Sequence, residues 1–175
     1  KAQSLLNQYP MVSISGPRQS GKTTFSRLFA PEYSYVNLEL PDVRRFASAD
    51  SKSFLEIHSN RVILDEVQNV PDLFSYLQVY TDERNQLGQY ILTGSQNFLL
   101  MEKITQSLAG RVALLTLLPL SYFELPEKPS IENFIYTGGY PRLINTGIAP
   151  EDFFPTYIQT YVERDVRQLL QVQNL

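Results

Sequence analysis

The stretch Gly16-Pro17-Arg18-Gln19-Ser20-Gly21-Lys22-Thr23-Thr24 follows directly on the apolar run Met11-Val12-Ser13-Ile14-Ser15. Glycines at its first and sixth positions, then Lys and Thr, reproduce the G-x-x-x-x-G-K-[ST] spacing of a loop that cradles phosphate. The glycines let several backbone N–H groups point into one cavity and let oxygen atoms approach closely. A helix begins at Lys22 and turns its unpaired amides and partial positive charge on the same anion. Lys22 adds a full charge, and the Thr23 hydroxyl is a ligand for Mg2+. In a chain of 175 residues, chance yields such a match with odds on the order of half a percent. A strand before the loop and a helix after it are the context the motif requires.

The rest of the chain alternates in the same way. Apolar or β-branched runs at Met11–Ser15, Tyr33–Leu38, Arg61–Asp65, Gln89–Gly94 and Arg111–Leu118 read as strands. Helical spacing falls between them, over Lys22–Phe29, Pro41–Ala49, Ser51–Ser59, Pro71–Asn85 and Phe98–Leu108. On the first of these, Phe25, Leu28 and Phe29 are expected to share one face. Strand and helix in alternation predict an α/β fold, a parallel sheet covered by helices in three layers. The run Val112–Leu118 is expected to be a buried strand, being far too short to span a bilayer. After Pro119 the character changes, with prolines at 126 and 129, a short helix at Ile131–Tyr136 and a turn at Gly138-Gly139-Tyr140-Pro141. From Glu151 the residues Phe154, Ile158, Tyr161, Val162, Val166, Leu169 and Leu170 form a helical stripe. Core or interface packing explains its tyrosines better than base stacking does. Residues 1–125 are therefore expected to form the nucleotide-type domain and 126–175 a helical appendage. The chain opens on Lys1 rather than Met, so residues are expected before it, and its last helix has no stop signal, so a further C-terminal domain is expected.

Hydrophobic residues make up 43% of the chain, enough for a core. A net charge of −3 gives no electrostatic footprint for nucleic acid. With no cysteine and His58 as the one histidine, thiolate zinc sites and disulfides are excluded. The same absence fits a reducing compartment, and a cytoplasmic location without membrane association is expected.

A second chemical element ends the third strand, Val62-Ile63-Leu64-Asp65-Glu66. An acid at the tip of a buried strand suits the metal of a phosphate-loop protein, so Asp65 and Thr23 are the candidate metal residues. Glu66 can orient or deprotonate an attacking water. The plain alternative is that both acids only cap the following turn. A third element, Leu92-Thr93-Gly94-Ser95-Gln96-Asn97, puts polar groups at the tip of the fourth strand. Ser95 and Thr93 both suit a contact to a terminal phosphate, and the residues do not choose between them. A helix cap at Ser95 or Asn97 accounts for them equally well. For an arginine that neutralises transition-state charge, Arg111 comes first, then Arg142 and Arg164. If Arg111 acts in trans, the protein must form a homo-oligomer. No Asn-Lys-x-Asp segment is present to read guanine, which disfavours GTP.

These segments together resemble the AAA+-type P-loop ATPases widespread in bacteria and archaea, in which an N-terminal ATPase domain precedes a C-terminal domain of unknown function. The resemblance is carried by Gly16–Thr24, Ile63–Gln68, Ile91–Ser95, Ser107–Arg111, Leu118–Glu124 and Gly138–Pro141. It implies a five-stranded sheet of order 5-1-4-3-2, and ATP or ADP with Mg2+ as ligands. It implies that Gly16, Pro17, Arg18, Gln19, Ser20, Gly21, Lys22, Thr23 and Thr24 bind nucleotide, with Lys22, Glu66, Ser95 and Arg111 catalytic. It also implies that Tyr161-Val162-Glu163-Arg164-Asp165 leads into a further region, winged-helix or nuclease-like. Three readings follow: an ATP hydrolase coupled to conformational change, a nucleotide-gated switch with slow hydrolysis, and a DNA-linked motor acting through that further region.

Overall fold

The computed structural model describes residues 1–95, 104 and 106–162. Two compact units are present, Lys1–Gly16 with Lys22–Leu117, and Pro17–Gly21 with the chain from Leu118 onward.

In the first unit, β1 (Met11–Gly16), β2 (Ser34–Asn37), β3 (Val62–Asp65), β4 (Tyr90–Ser95) and β5 (Val112–Thr116) form one sheet in the order β2-β3-β4-β1-β5. Every neighbouring pair is parallel. Read from the other edge, this is the expected 5-1-4-3-2. Side chains alternate between the two faces because the strand period is two. Met11, Val62, Leu64, Tyr90 and Leu92 lie in one core cluster, whereas Val12, Ile14, Ile63 and Ile91 lie in the other. The helices α4 (Ser51–Ile57) and α5 (Leu73–Arg84) close the first face with Phe54, Leu55, Leu73, Phe74 and Leu77. The second face is closed by Leu6 of α1 (Ala2–Leu6) and by Phe25 and Phe29 of α2 (Lys22–Phe29). With α3 (Pro41–Ala49) these make the three-layer α/β fold. Burying each large aliphatic or aromatic side chain is worth about 1.5–3 kcal/mol, so the central strands anchor the unit.

Two sequence expectations change here. Leu28 is 76% exposed, while Phe25 and Phe29 stack at 5.1 Å. Residues four apart on a helix share a face more closely than residues three apart, and the covered stripe on α2 is narrow. The expected buried strand β5 stands at the sheet edge, beside β1 alone, and Leu114 is 50% exposed. The expected helix over residues 98–108 lies mostly outside the described residues.

In the second unit, α6 (Ile131–Thr137) is capped by Ser130, whose hydroxyl accepts from the Asn133 N–H at 3.2 Å. Pro141 and Pro150 open α7 (Pro141–Thr146) and α8 (Pro150–Tyr157), positions where the missing proline N–H costs nothing. Leu143, Phe153 and Tyr157 form its buried cluster, with Tyr140, Ile148, Phe154 and Tyr161 packed around them. The predicted stripe is out of phase with this, since Ile158 is 54% exposed. The chain widens into a π-helical turn over Ile158–Val162, where side chains depart from an α-helical count. Val166, Leu169 and Leu170 lie outside the described residues.

Gly139 is fixed by a close approach. A Cβ there would stand 1.7 Å from the Leu120 carbonyl oxygen, and the Leu120 N–H donates to the Gly139 carbonyl at 2.8 Å. Gly139→Ala must therefore break this pairing. The expected cost is upwards of about 3 kcal/mol in the second unit, read as lost amide protection around Leu120 and Leu143 in hydrogen exchange.

Candidate functional site

The first unit gathers its chemistry at the carboxyl ends of the strands, where open α/β sheets place their ligand crevice. β1 ends at Gly16 and α2 begins at Lys22. Lys22 is buried, and its ammonium donates to the Gly16 carbonyl at 3.0 Å, bending back over the start of the loop. Thr23, in the first turn of α2, donates its hydroxyl to Asp65 Oδ2 at 2.9 Å. Asp65 is the last residue of β3 and 5% exposed. Two further hydroxyls reach it, Tyr35 of β2 to Oδ2 at 2.6 Å and Thr93 of β4 to Oδ1. Ser95 is buried at the tip of β4, in register with Gly16.

Glu66 follows in the left-handed conformation, φ 55° and ψ 45°. A non-glycine residue there costs of order 1–3 kcal/mol, strain that collects at functional sites. The Gln68 amide donates to Glu66 Oε2. The Tyr35 hydroxyl is held above its usual ionisation range, by burial first and then by its hydrogen bond to Asp65 and that group's charge.

Loop residues Pro17–Gly21 belong to the second unit. Gln19 and Gly21 have φ of 60° and 93°, and alternating backbone hands of this kind turn successive amides inward. Two polar atoms of the loop, Ser20 Oγ and Arg18 Nε, are buried without a hydrogen-bond partner. A buried donor left unmade costs about 1–3 kcal/mol, which points to a ligand group they are built to meet. On the same unit, the Tyr157 hydroxyl donates to the Arg18 carbonyl at 3.2 Å. The Arg18 guanidinium lies 5.7 Å from the Tyr161 ring centre. Gln19, Arg142, Asp152 and Tyr157 help line a cavity of about 230 Å3.

The arrangement suits a phosphate chain with a hard divalent cation. Thr23 and Asp65 supply oxygen donors of the kind Mg2+ accepts, and Mg2+ takes its remaining ligands from phosphate and water. No group of three or more His, Cys, Asp and Glu occurs among the described residues, and such an ion needs none.

Residues 8–125 match the family model described as an AAA domain, and residues 128–175 match a domain of unknown function (DUF8612). The chain belongs to the AAA domain family. Uncharacterized proteins of Mycobacterium tuberculosis and Mycobacterium bovis are each 35% identical to it over 170 residues. That match covers 94% of this chain but 38% of theirs, so the chain spans well under half the length of these relatives. Among solved structures, a Walker-type ATPase of Pyrococcus abyssi aligns with a TM-score of 0.57 at 16% identity. The alignment covers 99% of this chain and 73% of that one, a likeness of fold.

Within the AAA domain, the predicted residues Gly16, Lys22, Thr23, Asp65, Glu66, Thr93 and Ser95 come together at one end of the sheet. Thr24 is exposed on α2. Arg111 does not join them. It precedes Val112, which pairs with Met11, so it stands at the opposite end of the sheet. Six residues at about 3.3 Å each put it some 20 Å from Gly16 along the strands. There it binds Asp82 at 2.6 and 2.8 Å through two nitrogens. The expectation that Arg111 meets the terminal phosphate within one chain is therefore corrected. Arg142 opens α7 in the second unit, and Arg164 lies outside the described residues. His58 closes α4 with its ring 4.7 Å from Phe54, and burial lowers its pKa.

The sequence pattern assigns no individual role to Tyr35, Gln68 or Tyr157. Tyr35 signalled only strand propensity, and its tie to Asp65 depends on β2 lying beside β3.

The Arg111 guanidinium hydrogen-bonds Asp82 and lowers its pKa, so the pair stabilises above the ordinary carboxylate range and fades as pH falls through the lowered value. Arg111→Ala is expected to leave nucleotide affinity within about twofold, since the pair lies outside the crevice. It should lower Tm slightly at neutral pH, and the deficit should vanish at acidic pH or high salt in thermal melts.

Proposed function

We propose that this AAA domain binds ATP with Mg2+ and hydrolyses the β–γ anhydride bond, coupling turnover to a conformational change. The observation that carries the reading is the 2.9 Å hydrogen bond from the Thr23 hydroxyl to the buried Asp65 carboxylate, one residue from the lysine that reaches back over Gly16. Backbone amides between Gly16 and Thr24 grip the phosphates, and Lys22 adds a full charge. Thr23 and Asp65 would hold Mg2+, which when bound supplies positive charge against the β- and γ-phosphate oxygens. Glu66 takes the proton from water as that water adds to the γ-phosphorus and the bridging oxygen leaves with ADP. Thr93 holds Asp65 in place, and Ser95 meets the terminal phosphate. An arginine that completes the site comes from a second copy or from elsewhere in the chain.

Lys22→Ala is expected to weaken ATP affinity by at least about tenfold, measured by isothermal titration calorimetry with Mg2+ present. Glu66→Gln should keep binding within a few-fold while lowering steady-state phosphate release by about 10²–10⁴-fold. Parental turnover in Glu66→Gln removes that base, and a parental affinity in Lys22→Ala removes the reading itself.

A second reading, a nucleotide-gated switch with slow hydrolysis, is favoured by the hydrogen bond from Tyr157 to the Arg18 carbonyl. The loop that grips phosphate then shares a packing unit with α8, so ligand binding and helix order become linked quantities. Limited proteolysis should cut the segment from Glu151 onward at different rates with ATP and with ADP. In Tyr157→Phe that difference should shrink, and equal rates for both nucleotides in the parent would exclude the switch.

A further inference from the structure

Asp65 is surrounded by hydroxyls from three separate elements: Thr23 of α2, Tyr35 of β2 and Thr93 of β4. The first belongs to the phosphate loop motif, and the third stands on the polar strand tip already singled out. Tyr35 belongs to neither. It lies opposite Ile63 in the β2–β3 register, two residues before Asn37, the residue opposite Asp65. We propose that Tyr35 is a positioning residue that fixes the Asp65 carboxylate for the cation, a role that rests on the Mg-nucleotide reading above.

The argument starts from the carboxylate itself. Its terminal torsion is broad and roughly two-fold, so a carboxyl group at a strand tip is not aimed by its own rotamer. Each of its oxygens has two lone-pair sites, and donors on both oxygens are needed to set the plane. Thr93 holds Oδ1 from one neighbouring strand. Oδ2 accepts from Thr23 and from Tyr35, at 2.9 and 2.6 Å. Thr23 is itself a proposed ligand of the cation, so its bond to Asp65 is subject to adjustment when the ligand enters. Tyr35 has no such second duty. Its hydrogen bond keeps Oδ2 in place from the side of β2.

The chemical identity of the donor matters as much as its position. A lysine or arginine at Tyr35 would neutralise Asp65 and compete with the cation for it. A tyrosine hydroxyl donates one hydrogen bond and leaves the negative charge available. The ring is also steadied, because the Arg27 guanidinium lies 5.0 Å from its centre. Arg27 is on α2, the same helix that presents Thr23, so one helix braces both donors to Oδ2.

Tyr35→Phe keeps the ring and its arginine contact and removes the hydroxyl alone. The expected result is a rise on the order of tenfold in the Mg2+ concentration that half-maximally tightens ADP binding, as loss of a hydrogen bond to a charged group requires. A matching rise is expected in the Mn2+ dissociation constant of the protein–ADP complex, read from free Mn2+ by electron paramagnetic resonance. Affinity for ADP in EDTA should stay within about twofold, since no cation is then involved. Arg27→Gln, which leaves the hydroxyl and only loosens the ring, should raise the Mg2+ requirement less than Tyr35→Phe does. In the wild-type chain, the Tyr35 hydroxyl proton should remain observable by NMR before and after Mg-ADP is added, a readout independent of any variant. An unchanged Mg2+ requirement in Tyr35→Phe overturns the proposal. So does equal weakening with and without Mg2+, the mark of a merely structural tyrosine, and so does loss of the hydroxyl signal on adding Mg-ADP. If the wild-type chain shows no Mg2+-dependent ADP binding, the nucleotide reading fails first. A wild type that binds beside an unaffected variant removes only Tyr35.

Discussion

A buried carboxylate organises the first unit. Asp65 sits at the end of a strand whose other residues are wholly apolar, in a position where an uncompensated charge would be costly. Among the described residues that carboxylate is met by hydroxyls, from Thr23, Tyr35 and Thr93, which orient the group without cancelling its charge. Each donor comes from a different element, so β2, β3, β4 and α2 must all be in place for the carboxylate to be satisfied. The sheet order β2-β3-β4-β1-β5 puts β3 between β2 and β4, which is what lets both neighbours reach it.

The parallel sheet in turn makes the loop possible. Because all strands run the same way, every strand tip that carries a polar group lies at the same end, and α2 starts there too. Gly16 and Ser95 end up side by side through the β1–β4 register, and the lysine that opens α2 bends back to the Gly16 carbonyl. Arg111 shows the converse. The β1–β5 register carries Arg111 to the far end of the sheet, where Asp82 gives it an ordinary ion pair.

The second unit gathers aromatic rings rather than strands, with Tyr140, Phe153, Tyr157 and Tyr161 in mutual contact. Pro17–Gly21 pack as part of this unit, and the Tyr157 hydroxyl donates to the Arg18 carbonyl within it.

The sequence by itself determined the alternation of strands and helices, the loop from Gly16 to Thr24, the acid at the end of β3 and the polar tip of β4. These are local properties: periodicity, glycine and proline placement, and spacing within a few residues of one another. It also determined, through the resemblance, the order of the strands. Tertiary structure alone decided that Thr93 and Tyr35 both meet Asp65, that β5 is an edge strand with Leu114 exposed, and that Arg111 stands at the opposite end of the sheet. The reason is physical. Lateral register and the side-by-side placement of strands depend on contacts between residues 28 to 101 positions apart, and no pattern within one segment records which neighbour it will have. The π-helical turn over Ile158–Val162 is a further case, since its wider turn departs from the α-helical period that the apolar spacing in the sequence follows.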